Sequence, residues 1–155
     1  MAEVSRVTLK VKKMHQDIGS SLPEPAYATS GSAGLDLCAA LERPVTIGPG
    51  QRIPIPTGIA VQLPARHLVG LVFVRSGLAS RYGLTLANAV GVIDADYTGE
   101  IICPVINLGD EPLTISPGDR IAQLVCVPIA VGEIEYVGDL GITDRGAGGF
   151  GSTGR

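Results

Sequence analysis

Short apolar runs recur along the chain, each closed by glycine, proline or a turn-forming polar residue. Val7, Leu9 and Val11 alternate with polar neighbours, which is the period of a half-buried strand. Further strand-like runs fall at 33–40, 45–47, 52–55, 59–63, 68–74, 101–107, 113–115, 121–128 and 133–137. Pro54 and Pro56 lack a ladder donor, so the strand around them suits an edge or an irregular stretch. Asp110-Glu111 and Ser116-Pro-Gly-Asp119 read as turns. Residues 17–32, rich in Gly, Ser and Pro, read as a loop.

Only 76–82 looks helical, with Ser76 able to cap its start and Gly83 placed to stop it. Many short strands with a single helix predict an all-β jelly roll or barrel. The pattern ends near 137. Residues 138–155 are rich in glycine and hold almost nothing that would join a core. They predict a flexible C-terminal arm after a 1–137 β domain.

Composition narrows the setting. The 155 residues are enough for one domain with a sizeable core. Charged residues are 17% of the chain, fewer than the roughly 25% of a usual soluble domain, which predicts extra surface hidden in an oligomer. A net charge of −3 argues against a nucleic-acid partner, and no apolar run is long enough for a membrane helix. Cys38, Cys103 and Cys126 are widely spaced with no CxxC pair, so reduced thiols in a cytoplasmic protein are expected.

The candidate chemistry concentrates in 88–97, Asn-Ala-Val-Gly-Val-Ile-Asp-Ala-Asp-Tyr. Val90, Val92 and Ile93 favour a pleated surface, and Gly91 permits a bend. A hairpin bent there leaves backbone donors and acceptors free for a planar polar ligand, with Asn88 adding its amide. Asp94 supplies a base beyond that ligand and Tyr97 a flat wall. An ordinary hairpin with an acidic turn remains the alternative.

Arg75-Ser76-Gly77 places a cation and a hydroxyl at a helix start, a setting that favours anions or a plain serine cap. Asp36 lies in an apolar run, where a carboxylate needs a cation or a metal-bound water. Simple alternation through 120–124 puts Ile121 opposite Arg120 and Gln123 opposite Ala122. Arg120 is expected to pair with Asp119, a partner chain or a ligand. Gly146, Gly148 and Gly151 match GxGxxG in letters, yet no strand is read directly before them, so a dinucleotide fold is not expected.

Five segments in order, AGLDLCA (33–39), RSGLA (75–79), NAVGVIDADYTGE (88–100), RIAQL (120–124) and RGAGGFGSTG (145–154), resemble the motifs of the trimeric dUTPases. The resemblance implies a jelly-roll homotrimer with shared sites that hydrolyses dUTP to dUMP and pyrophosphate with Mg2+. It implies that the segment holding Asn88, Gly91 and Val92 reads uracil, that Tyr97 packs on deoxyribose and that Asp94 activates water. Asp96 is not the matching carboxylate.

Arg75, Ser76, Gly77 and Gln123 match phosphate contacts, as do Arg145, Gly151, Ser152 and Thr153 of the arm. Phe150 matches the aromatic that stacks on the base, and Asp36 a carboxylate holding waters of the phosphate-bound magnesium. A dCTP deaminase on the same fold and a non-catalytic jelly-roll module are the rival readings.

Overall fold

A computed structural model of the chain describes residues 6–149. Strands β1 (Lys10–Lys13), β2 (Ala26–Tyr27), β3 (Leu35–Cys38), β4 (Val45–Ile47), β5 (Arg52–Gln62) and β6 (Leu68–Val74) lead into helix α1 (Ser76–Tyr82). Strands β7 (Leu84–Leu86), β8 (Gly91–Ile93), β9 (Glu100–Asn107), β10 (Leu113–Ile115) and β11 (Arg120–Pro128) follow. One sheet has the order β1-β5-β9-β7, a second β2-β3-β11-β6-β8, and β10 pairs with β4. Inward side chains of all three share one core, among them Leu37, Ile47, Ile55, Leu84, Val105, Ile115, Ile121 and Leu124. This is the expected all-β, jelly-roll-like architecture with a single short helix.

The two runs at 52–55 and 59–63 prove to be one long strand, β5. Its register shifts between Pro56 and Ala60, so the prolines do not break it. β1 covers only Ile59–Gln62 of β5. The half carrying Pro54 and Pro56 is therefore open on one edge, where a missing N–H costs no ladder bond.

α1 keeps its predicted bounds, but Arg75, not Ser76, occupies the N-cap position, and no side chain caps it. Ser76 is the first helical residue, so its hydroxyl is not the expected cap. Gly83 ends the helix at φ 70°, where its N–H donates to the Ala79 carbonyl. A Cβ there would strike the backbone of Leu108 and Gly109, so glycine is required both for conformation and for space.

Two differences bear on the site. Residues 133–137 form no strand, because a strand needs a paired neighbour and this segment lies beyond the sheets, with Ile134 and Tyr136 exposed. Two short strands absent from the sequence reading, β2 and β7, close sheet edges instead. Among the described residues no helix is long and apolar enough to cross a membrane.

Candidate active site

The chain between β7 and β9 crosses from one sheet to the other and back. β7 lies beside β9 in the first sheet, whereas β8 lies beside β6 at the edge of the second. β8 therefore turns one backbone edge to β6 and leaves the other towards β9 without a ladder. A cavity of about 280 Å3 opens between them, lined by Asn88, Gly91, Val92, Asp94, Tyr97 and residues of β9. The bend begins at Ala89, which holds φ 62°, a left-handed value that a non-glycine residue adopts at some cost. Ala89 N–H donates to the Leu86 carbonyl at 2.9 Å, closing the turn that presents Asn88.

Asp94 is exposed at this cavity, and its carbonyl accepts from Tyr97 N–H at 3.1 Å. The Tyr97 hydroxyl donates to the Glu100 carbonyl at 2.9 Å, which fixes the ring as a wall. The wall opposite β8 is contributed by Glu100 together with Ile101, Ile102 and Pro104, and these last three the sequence reading did not single out. Ile102 is 51% exposed on a strand whose alternate residues Ile101 and Cys103 are buried. An isoleucine at an outward position was the available signal.

A second cavity, about 490 Å3, lies between α1 and the 116–119 turn. Arg75, Gly77, Arg81 and Arg120 contribute to its lining, and Ser76 stands in the first turn between Arg75 and Gly77. Behind it the buried Asp36 Oδ2 accepts from Arg75 Nη1 at 2.6 Å and from Arg120 Nη1 at 3.3 Å. Of the partners open to Arg120 in the sequence, Asp119 is not the one it takes; its ion pair is with Asp36. Asp119 Oδ2 instead accepts from Ser116 N–H at 2.7 Å within its own turn.

Ile121 lies opposite Arg120 and Gln123 opposite Ala122, as expected, but the alternation breaks between Ile121 and Ala122, for a definite reason. The register between β11 and β3 slips, with Arg120 opposite Cys38 but Gln123 opposite Asp36. Ile121 and Ala122 are both fully buried across the slip. The extra residue puts Arg120 and Gln123, three apart, on the face that carries Asp36, as a β-bulge does when it re-aims a side chain.

The fit to magnesium rests on Asp36. Among the described residues no group of three or more His, Cys, Asp or Glu is placed to hold a metal ion. Both arginines engage Oδ2, leaving Oδ1 outside the ion pairs. One carboxylate oxygen of this kind suits an ion held through water and by a phosphate ligand, the usual arrangement for Mg2+.

The thiols stand apart from this chemistry. Burial pushes the Cys103 thiol up to about 12 from 9.0. Burial, aided by the Asp36 charge, raises Cys38, and burial raises Cys126. Thiols held in the neutral form are poor nucleophiles. Arg145 is exposed, and its Nε donates to the Gly148 carbonyl of its own segment at 2.9 Å. Phe150, Gly151, Ser152 and Thr153 lie outside the described residues.

The geometry has counterparts among known proteins. The family model described as dUTPase matches residues 20–154. The chain is 51% identical over 151 residues to the deoxyuridine 5'-triphosphate nucleotidohydrolase of Desulfitobacterium hafniense (strain DSM 10664 / DCB-2), covering 97% of this chain and 99% of that one. It is 50% identical over 146 residues to the enzyme of the same name from Hahella chejuensis, covering 94% and 96%.

A mutant dUTPase of Staphylococcus bacteriophage 80alpha, solved with dUpNHpp, superposes with a TM-score of 0.83 at 29% identity, over 96% of this chain and 99% of that one. A mutant dUTPase from phage phi11 of S. aureus, whose structure shows the coordination of a structural Mg(II) ion, gives a TM-score of 0.74 at 26% identity, over 86% and 98%.

Proposed function

The chain belongs to the dUTPase family, and from that premise we propose that it hydrolyses dUTP to dUMP and pyrophosphate. The observation that carries this reading is the cavity beside β8, where an unladdered backbone edge, the Asn88 amide, the Asp94 carboxylate and the Tyr97 ring meet. Uracil is planar, and its carbonyls and N–H match such an edge and amide. Tyr97 packs against the deoxyribose and leaves no room for a 2′-hydroxyl. Asp94 takes a proton from a water molecule that attacks the α-phosphorus in line, and the bond to the pyrophosphate oxygen breaks.

The departing pyrophosphate gains negative charge. Arg75, Ser76, Gly77 and Gln123 bind the phosphate chain and, with Arg145 and the arm residues Gly151, Ser152 and Thr153, offset that charge. Phe150 stacks on the base. Asp36 would hold Mg2+ through water, and the ion would supply further charge neutralisation when bound. Removing dUTP in this way limits uracil entry into DNA and supplies dUMP for thymidylate synthesis.

Asp94 and the arginines line separate cavities with no residue in common. We therefore assign the complete site to a homotrimer in which one protomer's β8 cavity faces the arginines of another. The large apolar side chains left exposed, Val92, Leu108, Val131, Ile134 and Tyr136, support burial against neighbouring copies. The 138–155 arm closes over the nucleotide, and neutral thiols suit a cytoplasmic setting.

A deaminase reading would need a free glutamate base. Glu100 instead accepts from Gly58 N–H at 2.8 Å through Oε1. The test is turnover of dUTP with product identification, alongside light scattering. Pyrophosphate and dUMP from a trimer are expected. Ammonia release from dCTP, or an inactive protein, would overturn the reading.

A further inference from the structure

Gly34 is buried at the head of β3, two residues before Asp36. Its backbone is not in the left-handed region, so conformation alone does not call for glycine there. Space does. A Cβ built on Gly34 would lie 3.0 Å from Gln123 Cβ and 3.0 Å from Gln123 Cδ, and closer still to Oε1. The Gln123 side chain thus lies across the bare Cα of Gly34. Rotating the amide away would relieve its oxygen but would abandon its position. The contact between the two β-carbons survives any rotation and would shift β3 and β11 against each other by a few tenths of an ångström.

We propose that Gly34 is a positioning residue for Gln123. The β-bulge at 120–122 turns Gln123 onto the face of Asp36, and the missing side chain at 34 gives it a seat there. This rests on the reading of Gln123 as a phosphate contact. Under it, Gly34 never touches substrate and acts only through the amide it lets settle.

The experiment is a double-mutant cycle on dUTP turnover with Gly34→Ala, Gln123→Gly and the pair, with Gln123→Ala alongside, each also followed by thermal unfolding. A displaced contact of this kind costs about ten- to a hundredfold in kcat/KM, so Gly34→Ala is expected to lose that much. In a Gln123→Gly background, which removes the β-carbon contact as well, the same change is expected to cost less than about threefold, because the amide it would displace is gone.

Equal losses in both backgrounds, or normal kinetics in Gly34→Ala while Gln123→Ala is impaired, would overturn the positioning role alone. Normal kinetics in Gln123→Ala would overturn the reading of Gln123 together with it. If Gly34→Ala fails to fold, Gln123→Gly removes all three close contacts. The pair Gly34→Ala with Gln123→Gly is then expected to melt where Gln123→Gly does, and a pair that stays unfolded would overturn the proposal.

Discussion

Replacing each member of the Asp36, Arg75 and Arg120 cluster should produce graded, unequal losses of stability. The Asp36 side chain is 10% exposed, Arg75 30% and Arg120 55%. Arg75→Met removes the 2.6 Å bond and leaves the buried carboxylate with only the 3.3 Å contact. A fully stranded buried charge costs roughly 3–5 kcal/mol, and the retained Arg120 reduces this to about 2–3 kcal/mol. Arg120→Met removes a long contact to a solvated guanidinium and should cost about 0–1 kcal/mol. Asp36→Asn keeps an acceptor oxygen, and the two arginines it leaves can reach water, so about 1–2 kcal/mol is expected.

For a chain of this size about 1 kcal/mol moves Tm by roughly 2–4 °C. Thermal unfolding at one fixed protein concentration should therefore rank the variants Arg75→Met, Asp36→Asn, Arg120→Met, from most to least destabilised. Arg120→Met as damaging as Arg75→Met would refute the dependence on distance and exposure. A neutral Arg75→Met would show that Asp36 needs no cation.

Asp94→Asn should lower kcat by about two to four orders of magnitude with nucleotide binding kept, measured by single-turnover kinetics and calorimetric titration. Near-normal turnover would move attention to Asp96. Tyr97→Ala should narrow the dUTP/UTP ratio of kcat/KM. Tyr97→Phe, which loses only the bond to the Glu100 carbonyl, should leave that ratio nearly intact. The buried Cys103 thiol, pushed up to about 12, should label far more slowly in the native protein than in denaturant, as read by mass spectrometry. The sign of its linkage is that the folded state disfavours the thiolate. Its contribution is then present below pH 9 and is lost as pH rises towards 12, and Cys103→Ala should flatten that alkaline loss.

Much of the fold was legible because the apolar pattern reports burial directly. The runs at 45–47, 68–74 and 113–115 and the helix at 76–82 keep their bounds. The same logic explains the error at 133–137. Alternating Ile134 and Tyr136 write a strand pattern, but pairing depends on what lies alongside, and among the described residues nothing does.

The site was legible where chemistry clusters in sequence, as in 88–97, whose Asn88, Asp94 and Tyr97 gather at one cavity. It was illegible where two distant strands cooperate. No glycine or proline marks the bulge at 120–122, so Arg-Ile-Ala-Gln-Leu reads as plain alternation. That reading would send Arg120 and Gln123 to opposite faces. The bulge is dictated by the partner strand. β3 offers Asp36 and Cys38 on one face, and only a slipped β11 can set Gln123 against the first and Arg120 against the second. Period-two reasoning holds within a strand while its register holds, and this face exists because the register breaks there.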